Sequence, residues 1–174
     1  MSSVYLARTN QKLSFVRLHL EKLKLAQSDT SWHKHALIES FNESVLFHFA
    51  SAYDAFLKEI AERYSVSPNA LTNFNELVVA IENTGVESPE VKELTKLEAD
   101  DASWLHKMLH AYEACWQGAD KPVSTHKEHS VSEIHVVQIN PDHAEDAQII
   151  AEYEAWLVSL SEVINRLREG MQEW

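Results

Sequence analysis

The chain has 174 residues, 45% hydrophobic and 24% charged, the mix of a folded globular chain rather than a disordered one. Only 3 Gly and 4 Pro are present, which disfavours β-sandwiches, β-barrels and collagen-like chains, because these need frequent turn residues. The net charge of −12 repels phosphate backbones and anionic lipid, so neither nucleic acid nor a membrane is an expected partner.

Helical periodicity dominates the chain from its start. Leu6, Leu13, Val16, Leu20 and Leu23 recur at three-and-four spacing and predict a helix from about Val4 to Ala26 with one buried stripe. The polar run 28–31 then supplies cap chemistry. A second, long helix is predicted over about Trp32 to Tyr64. Its main stripe is Ile38, Phe41, Val45, Phe49, Ala52, Phe56 and Ile60, with His48 on the stripe between Val45 and Ala52. Leu46, Phe47 and Leu57 lie off that stripe, which predicts a central helix with neighbours on several sides.

Ser67-Pro68 is a cap followed by a first-position proline, so a third helix is expected from about Pro68 to Asn83, with Gly85 as its stop. Ser88-Pro89 repeats the signature and opens a fourth helical region to about Gln117, stopped by Gly118 and bent or broken at Asp100-Asp101. From Ala119 to Pro141 the pattern lapses. Ile134, Val136 and Ile139 predict a short strand there, paired with Val123–Thr125 or with the same segment of another subunit. Asp142 caps a last helix in which Ile149, Tyr153, Trp156, Leu160, Ile164, Leu167, Met171 and Trp174 keep a seam-like spacing. The predicted fold is therefore all-α. It is a single-domain up-down bundle of about five helices, with a long loop containing a short β element before the last helix.

Ten histidines make metal chemistry the first hypothesis to weigh. His106 and His110 are four apart, a spacing that lets two imidazoles on one helix share an ion. With His48 added, the layout resembles the DinB-like metal-binding bundles, which implies a divalent metal held by His48, His106 and His110. The helical wheel opposes this. If Leu105, Met108, Leu109, Tyr112 and Trp116 form the buried arc, His106 and His110 fall with Glu113 and Gln117 on a separate polar stripe. His126, His129, His135 and His143 lie in or just after the long loop without thiolates and read as a solvated histidine-rich segment. His33 and His35 point to different faces.

Other chemistries find less. Glu39 and Glu43 share what looks like a solvated polar face, and no acidic residue stands three before His19, His48, His106 or His110, as inward-facing di-iron motifs require. The single cysteine, Cys115, beside Trp116, reads as inert packing; one thiol forms no internal disulfide and suits a reducing cytoplasm. No nucleophile elbow, P-loop or dinucleotide fingerprint is present, so no catalytic residue and no cofactor is assigned. No Arg–His pair spaced four to six apart supports a HEPN-type nuclease. The first twenty residues mix Arg8, Asn10, Gln11, Lys12 and Arg17 with apolar positions, unlike a signal peptide.

Charge is unevenly placed. Residues 1–27 hold Arg8, Lys12, Arg17, Lys22 and Lys24 against Glu21 alone, a net of about +4, which leaves about −16 on the remainder. The expectation is a basic first helix packed against acidic neighbours. The run from Tyr5 to Leu13, with the later Phe47-His48 inside an apolar helix, resembles a family of small uncharacterised gammaproteobacterial proteins. That resemblance implies a helical protein of unknown function, in which Arg8, Thr9, Asn10 and Gln11 form a polar surface or an interhelical hydrogen-bonding patch.

Three functions compete on this reading. The favoured one is a non-enzymatic cytoplasmic binding or scaffolding bundle that self-associates or binds a protein partner, using its five tryptophans, its apolar last helix or its long loop. The second is a DinB-like metal enzyme at His48, His106 and His110. The third is a small-molecule or lipid-tail binder with a cavity lined by Phe41, Phe49 and Phe56.

Overall fold

A computed structural model describes residues 4–117 and 147–172. Among them six α-helices form and no strand: α1 (Val4–Gln27), α2 (Lys34–Arg63), α3 (Phe74–Thr84), α4 (Pro89–Ala99), α5 (Trp104–Ala114) and α6 (Ala147–Gln172). Gly118, the expected strand and its pairing segment, His126, His129, His135, Asp142, His143 and Trp174 lie outside the described residues. None of the described helices is long and apolar enough to cross a membrane.

The all-α expectation holds, with two changes to the element list. The predicted fourth helical region is broken, at the expected Asp100-Asp101, into two helices. Asp100 leaves helical geometry, its carboxylate accepts the Ala102 N–H at 2.9 Å, and Ser103 caps the new start by accepting the His106 N–H at 3.0 Å. Short polar side chains win here because they offer the backbone a local alternative to the helix ladder.

The third helix also starts later than Ser67-Pro68 implies. Pro68–Ala70 makes only a 3-10 turn, and α3 opens at Phe74. Asn73 caps it by accepting the Glu76 N–H at 3.0 Å, while the Glu76 carboxylate reaches back to the Thr72 N–H at 2.6 Å. That reciprocal pairing satisfies orphan donors that a proline-led start leaves open. Gly85 stops the helix in the left-handed region at φ 73°, as its lack of a Cβ allows.

The core forms where the periodicity places it. From α1, Leu13, Val16, Leu20 and Leu23 are buried; from α2, Ile38, Val45, Phe49, Ala52, Phe56 and Ile60; from α6, Tyr153, Trp156, Leu160, Ile164, Leu167 and Met171. These belong to one continuous cluster that also takes Leu77, Leu94, Leu105 and Met108 from the shorter helices. α1 and α2 pack along much of their length, and α6 lies against α1, α2 and α5.

Several side chains depart from the helical wheel: Leu6 and Phe41 of the expected stripes, and Leu109 and Tyr112 of the expected α5 arc, are only half-buried. Leu46 and Leu57 are buried as a central helix requires, but Phe47 is 46% exposed. Trp116, expected in the buried arc of α5, is exposed. Glu39, expected to be solvated, is only 3% exposed, whereas Glu43 is exposed. His48 is half-buried at the edge of the stripe rather than on it.

Candidate functional site

The histidines proposed to share a metal occupy two separate environments. His106 is half-buried at the start of α5, where its Nδ1 lies 2.8 Å from the Glu98 carbonyl and its Nε2 3.5 Å from Asp101. His110 is exposed and stacks on it with ring centres 6.3 Å apart. Close by, the Tyr53 hydroxyl donates to Glu98 at 2.7 Å. Burial, followed by the charge of Glu113, holds the Glu98 carboxyl above its usual range. Acids, rings and histidines thus meet at this corner, but their atoms are spent in fixing the α4–α5 junction.

His48 instead sits against α1. Its ring lies 4.6 Å from that of His19, 5.2 Å from Phe15 and 5.3 Å from Phe47. Among the described residues, no three His, Cys, Asp or Glu side chains gather as metal ligands, so His48, His106 and His110 do not form a common centre there. The physical reason is the wheel position of each pair. His48 borders the flank of α2 that α1 covers, and His106 borders α4.

The ring cluster has an electrostatic character of its own. The Lys12 ammonium lies 5.3 Å from the Phe47 ring centre and 5.8 Å from that of Phe15, within cation–π range. Burial, reinforced by His19 and Lys12, pushes the His48 imidazole down to about 4, so it is neutral at neutral pH. The Nδ1 atoms of both His19 and His48 are buried without a hydrogen-bond partner. His19 also tilts against Phe41 at 6.4 Å.

Around this cluster the outer surface of α1 and α2 is apolar and basic together. Leu18 is 62% exposed and Leu25, seven residues on along the same stripe of α1, is 63% exposed, and Phe47 is exposed on α2. Arg8 and Lys22 are exposed on the same helix as the two leucines, as is Glu21 between Leu18 and Leu25. Sequence reading missed His19 and the Lys12–Phe15 pair. The available signal was their three-and-four spacing on one flank of the buried α1 stripe.

The opposite flank of α1 meets α6. Lys24 pairs with Glu154 at 2.7 Å, the one described contact of the expected kind between the basic first helix and an acidic neighbour on another helix. Arg168 grips both oxygens of Glu59 at 2.7 and 2.8 Å and reaches Asn10 at 3.0 Å. The buried Thr9 hydroxyl lies 3.2 Å from Glu59 and 2.9 Å from the Tyr5 carbonyl, donating to one or the other. Within the Arg8–Gln11 run, Asn10 therefore bonds across to α6 and Thr9 lies within reach of Glu59 on α2, while among the described residues Arg8 bonds its neighbour Gln11 at 3.2 Å.

The remaining candidates are packing. Phe49 and Phe56 are fully buried, and Phe49 is edge-on to Tyr153 and Trp156 at 6.2 Å each, so these rings fill the core that a lipid-tail cavity would need empty. An open cleft of about 670 Å³ lies elsewhere, between Val66, Leu71, Asn73 and Val79 at the start of α3. Cys115 is half-buried, and burial pushes its thiol up to about 11, which makes it a poor nucleophile.

The chain belongs to the family of unknown function DUF6586, which it matches over residues 1–174, well beyond the first third that carries the sequence resemblance. No curated protein and no solved structure matches it.

Proposed function

We propose that this protein is a non-enzymatic docking module, an up-down helical bundle that associates with further copies of itself through the outer face of α1 and α2. The observation that carries this reading is the exposure of the large apolar side chains Leu18 and Leu25 on the solvent side of α1, which also carries the cations Arg8, Lys12 and Lys22, and of Phe47 on the neighbouring α2. Large apolar side chains gathered on an outer face mark an interaction surface. A cationic rim selects an acidic counterpart and speeds its approach.

The rest of the chain is that counterpart. The outer face of α6 exposes Val158 beside Glu162, with Glu169 further along the same side. Because α6 lies on the other flank of α1, joining the two unlike faces is a head-to-tail contact, which builds rings or chains rather than a closed two-fold dimer. The single thiol supports a reducing, cytoplasmic setting.

Sedimentation velocity over a concentration series tests the reading. Average mass is expected to rise with concentration at low salt and to fall back at high salt, since screening weakens the charged rim. Lys12→Glu should abolish association, and Lys12→Glu mixed with Glu162→Lys should restore it in part. A strict monomer at every concentration and salt level overturns the proposal.

A further inference from the structure

Two buried ring nitrogens without hydrogen-bond partners lie side by side where α1 borders α2. His19 and His48 come from adjacent helices, their ring centres are 4.6 Å apart at a 46° tilt, and both Nδ1 atoms are buried with no hydrogen-bond partner. A buried unsatisfied nitrogen costs about 1–3 kcal/mol, so two side by side need a physical reason. From the geometry we infer that His19 and His48 hold a single transition-metal ion of the imidazole-preferring class, such as zinc, copper or nickel, with water completing its coordination.

The ring spacing fits this use. With metal–nitrogen bonds of about 2.1 Å, two imidazoles meeting one ion near a tetrahedral angle keep their ring centres roughly 5 Å apart. Both ligands are already held by packing, His48 by Phe15 and Phe47 and His19 by Phe41, so little ordering entropy remains to be lost on binding. The ions chosen are those for which neutral imidazole is a good donor; calcium and magnesium prefer oxygen.

One neighbour opposes the ion. Lys12 lies over Phe47 and Phe15, and its positive charge raises the cost of a second cation nearby. That opposition gives the site a signature that adventitious binding to exposed histidines lacks: removing the Lys12 charge must tighten it. The site also stands apart from self-association, since it needs only one chain.

The test uses the full chain, without a histidine tag and stripped by chelator, titrated calorimetrically with zinc chloride and separately with copper(II). His19→Gln and His48→Gln should each remove the tightest equivalent, and the double variant should remove no more than either. His106→Gln with His110→Gln should leave that equivalent intact, and Lys12→Gln should tighten it several-fold. Should a variant fail to fold by circular dichroism, copper-induced broadening in the wild-type NMR spectrum decides, reaching the His19 and His48 ring signals first. An isotherm unchanged by His19→Gln or by His48→Gln, a tightest equivalent lost with His106 and His110, or broadening that starts at other histidines overturns the assignment. Loss of metal binding with self-association intact separates this site from the docking face, and the reverse pattern separates the docking face from it.

Discussion

On the flank of α1 that meets α6, Thr9, Glu59, Asn10 and Arg168 satisfy one another. On the flank beside the outer side of α2, His19 and His48 leave buried nitrogens without partners among aromatic rings. Both places bring polar groups into a helix–helix contact. In the first, the Glu59 and Arg168 side chains are only 8% and 14% exposed, and every charge has a geometric partner, so the network serves the fold. In the second, the polar atoms weaken the packing they sit in, and large apolar groups around them stay in solvent. Consistency across levels is what specifies a fold, and the place where it breaks is where function is to be sought.

The comparison breaks first at Arg168. Arg168→Met leaves the Glu59 carboxylate buried without its cation, and stability should fall by about 3–5 kcal/mol in chemical denaturation. The corresponding cut on the other flank, His48→Phe, removes an unsatisfied nitrogen and keeps a ring of similar shape. It should change stability by less than about 1 kcal/mol, or raise it. Equal losses from the two variants would mean that the flanks do not differ in kind.

A smaller effect separates the flanks by pH. His48 is held down to about 4 in the folded protein against an ordinary 6.5, so the folded state binds fewer protons than the unfolded one. Its neutral form therefore adds stability above about pH 6.5, and that contribution is lost as pH falls through 4. Carboxylates titrate in part of the same range, so the difference between wild type and His48→Phe is the quantity to measure. Melting temperature should drop more steeply from pH 7 to pH 5 in the wild type. Parallel pH profiles would show that His48 is not held neutral by its surroundings.

How much of this was legible follows from which interactions are local. The α6 seam could be read residue by residue, because a stripe from Tyr153 through Met171 repeats over many turns and any slip would expose it. The break at Asp100–Ser103 was half legible: two aspartates marked it, but the cap that reopened the helix was Ser103. The start of α3 was misplaced because Ser67-Pro68 and Asn73 are both valid starts, and only the reciprocal Glu76 contacts choose between them. Burial of Glu39, exposure of Phe47 and the approach of His19 to His48 were not legible at all. Each depends on the rotation of one helix against another, and a border residue such as His48 turns inward or outward with a small change in that rotation. The candidate site consists of such border residues, which is why spacing along the sequence groups His48 with His106 and His110 whereas the fold sets it beside His19.

The substitution most informative about function is at Phe47. Phe47 is 46% exposed and contributes to the described structure mainly through His48 at 5.3 Å and Lys12 at 5.3 Å. Truncation in Phe47→Ser removes about half a phenylalanine's buried area and one cation–π contact, so unfolding free energy should fall by about 1–2 kcal/mol, short of the Arg168→Met loss. In sedimentation the same variant should lose most of its concentration-dependent association, because an exposed aromatic at the centre of a docking face is the kind of residue that carries binding energy. Stability and association then separate at a single residue. If stability instead falls by as much as Arg168→Met costs, Phe47 belongs to the core despite its exposure. The two flanks of α1 would then be variants of one packing solution, rather than one that holds the fold and one left open for a partner.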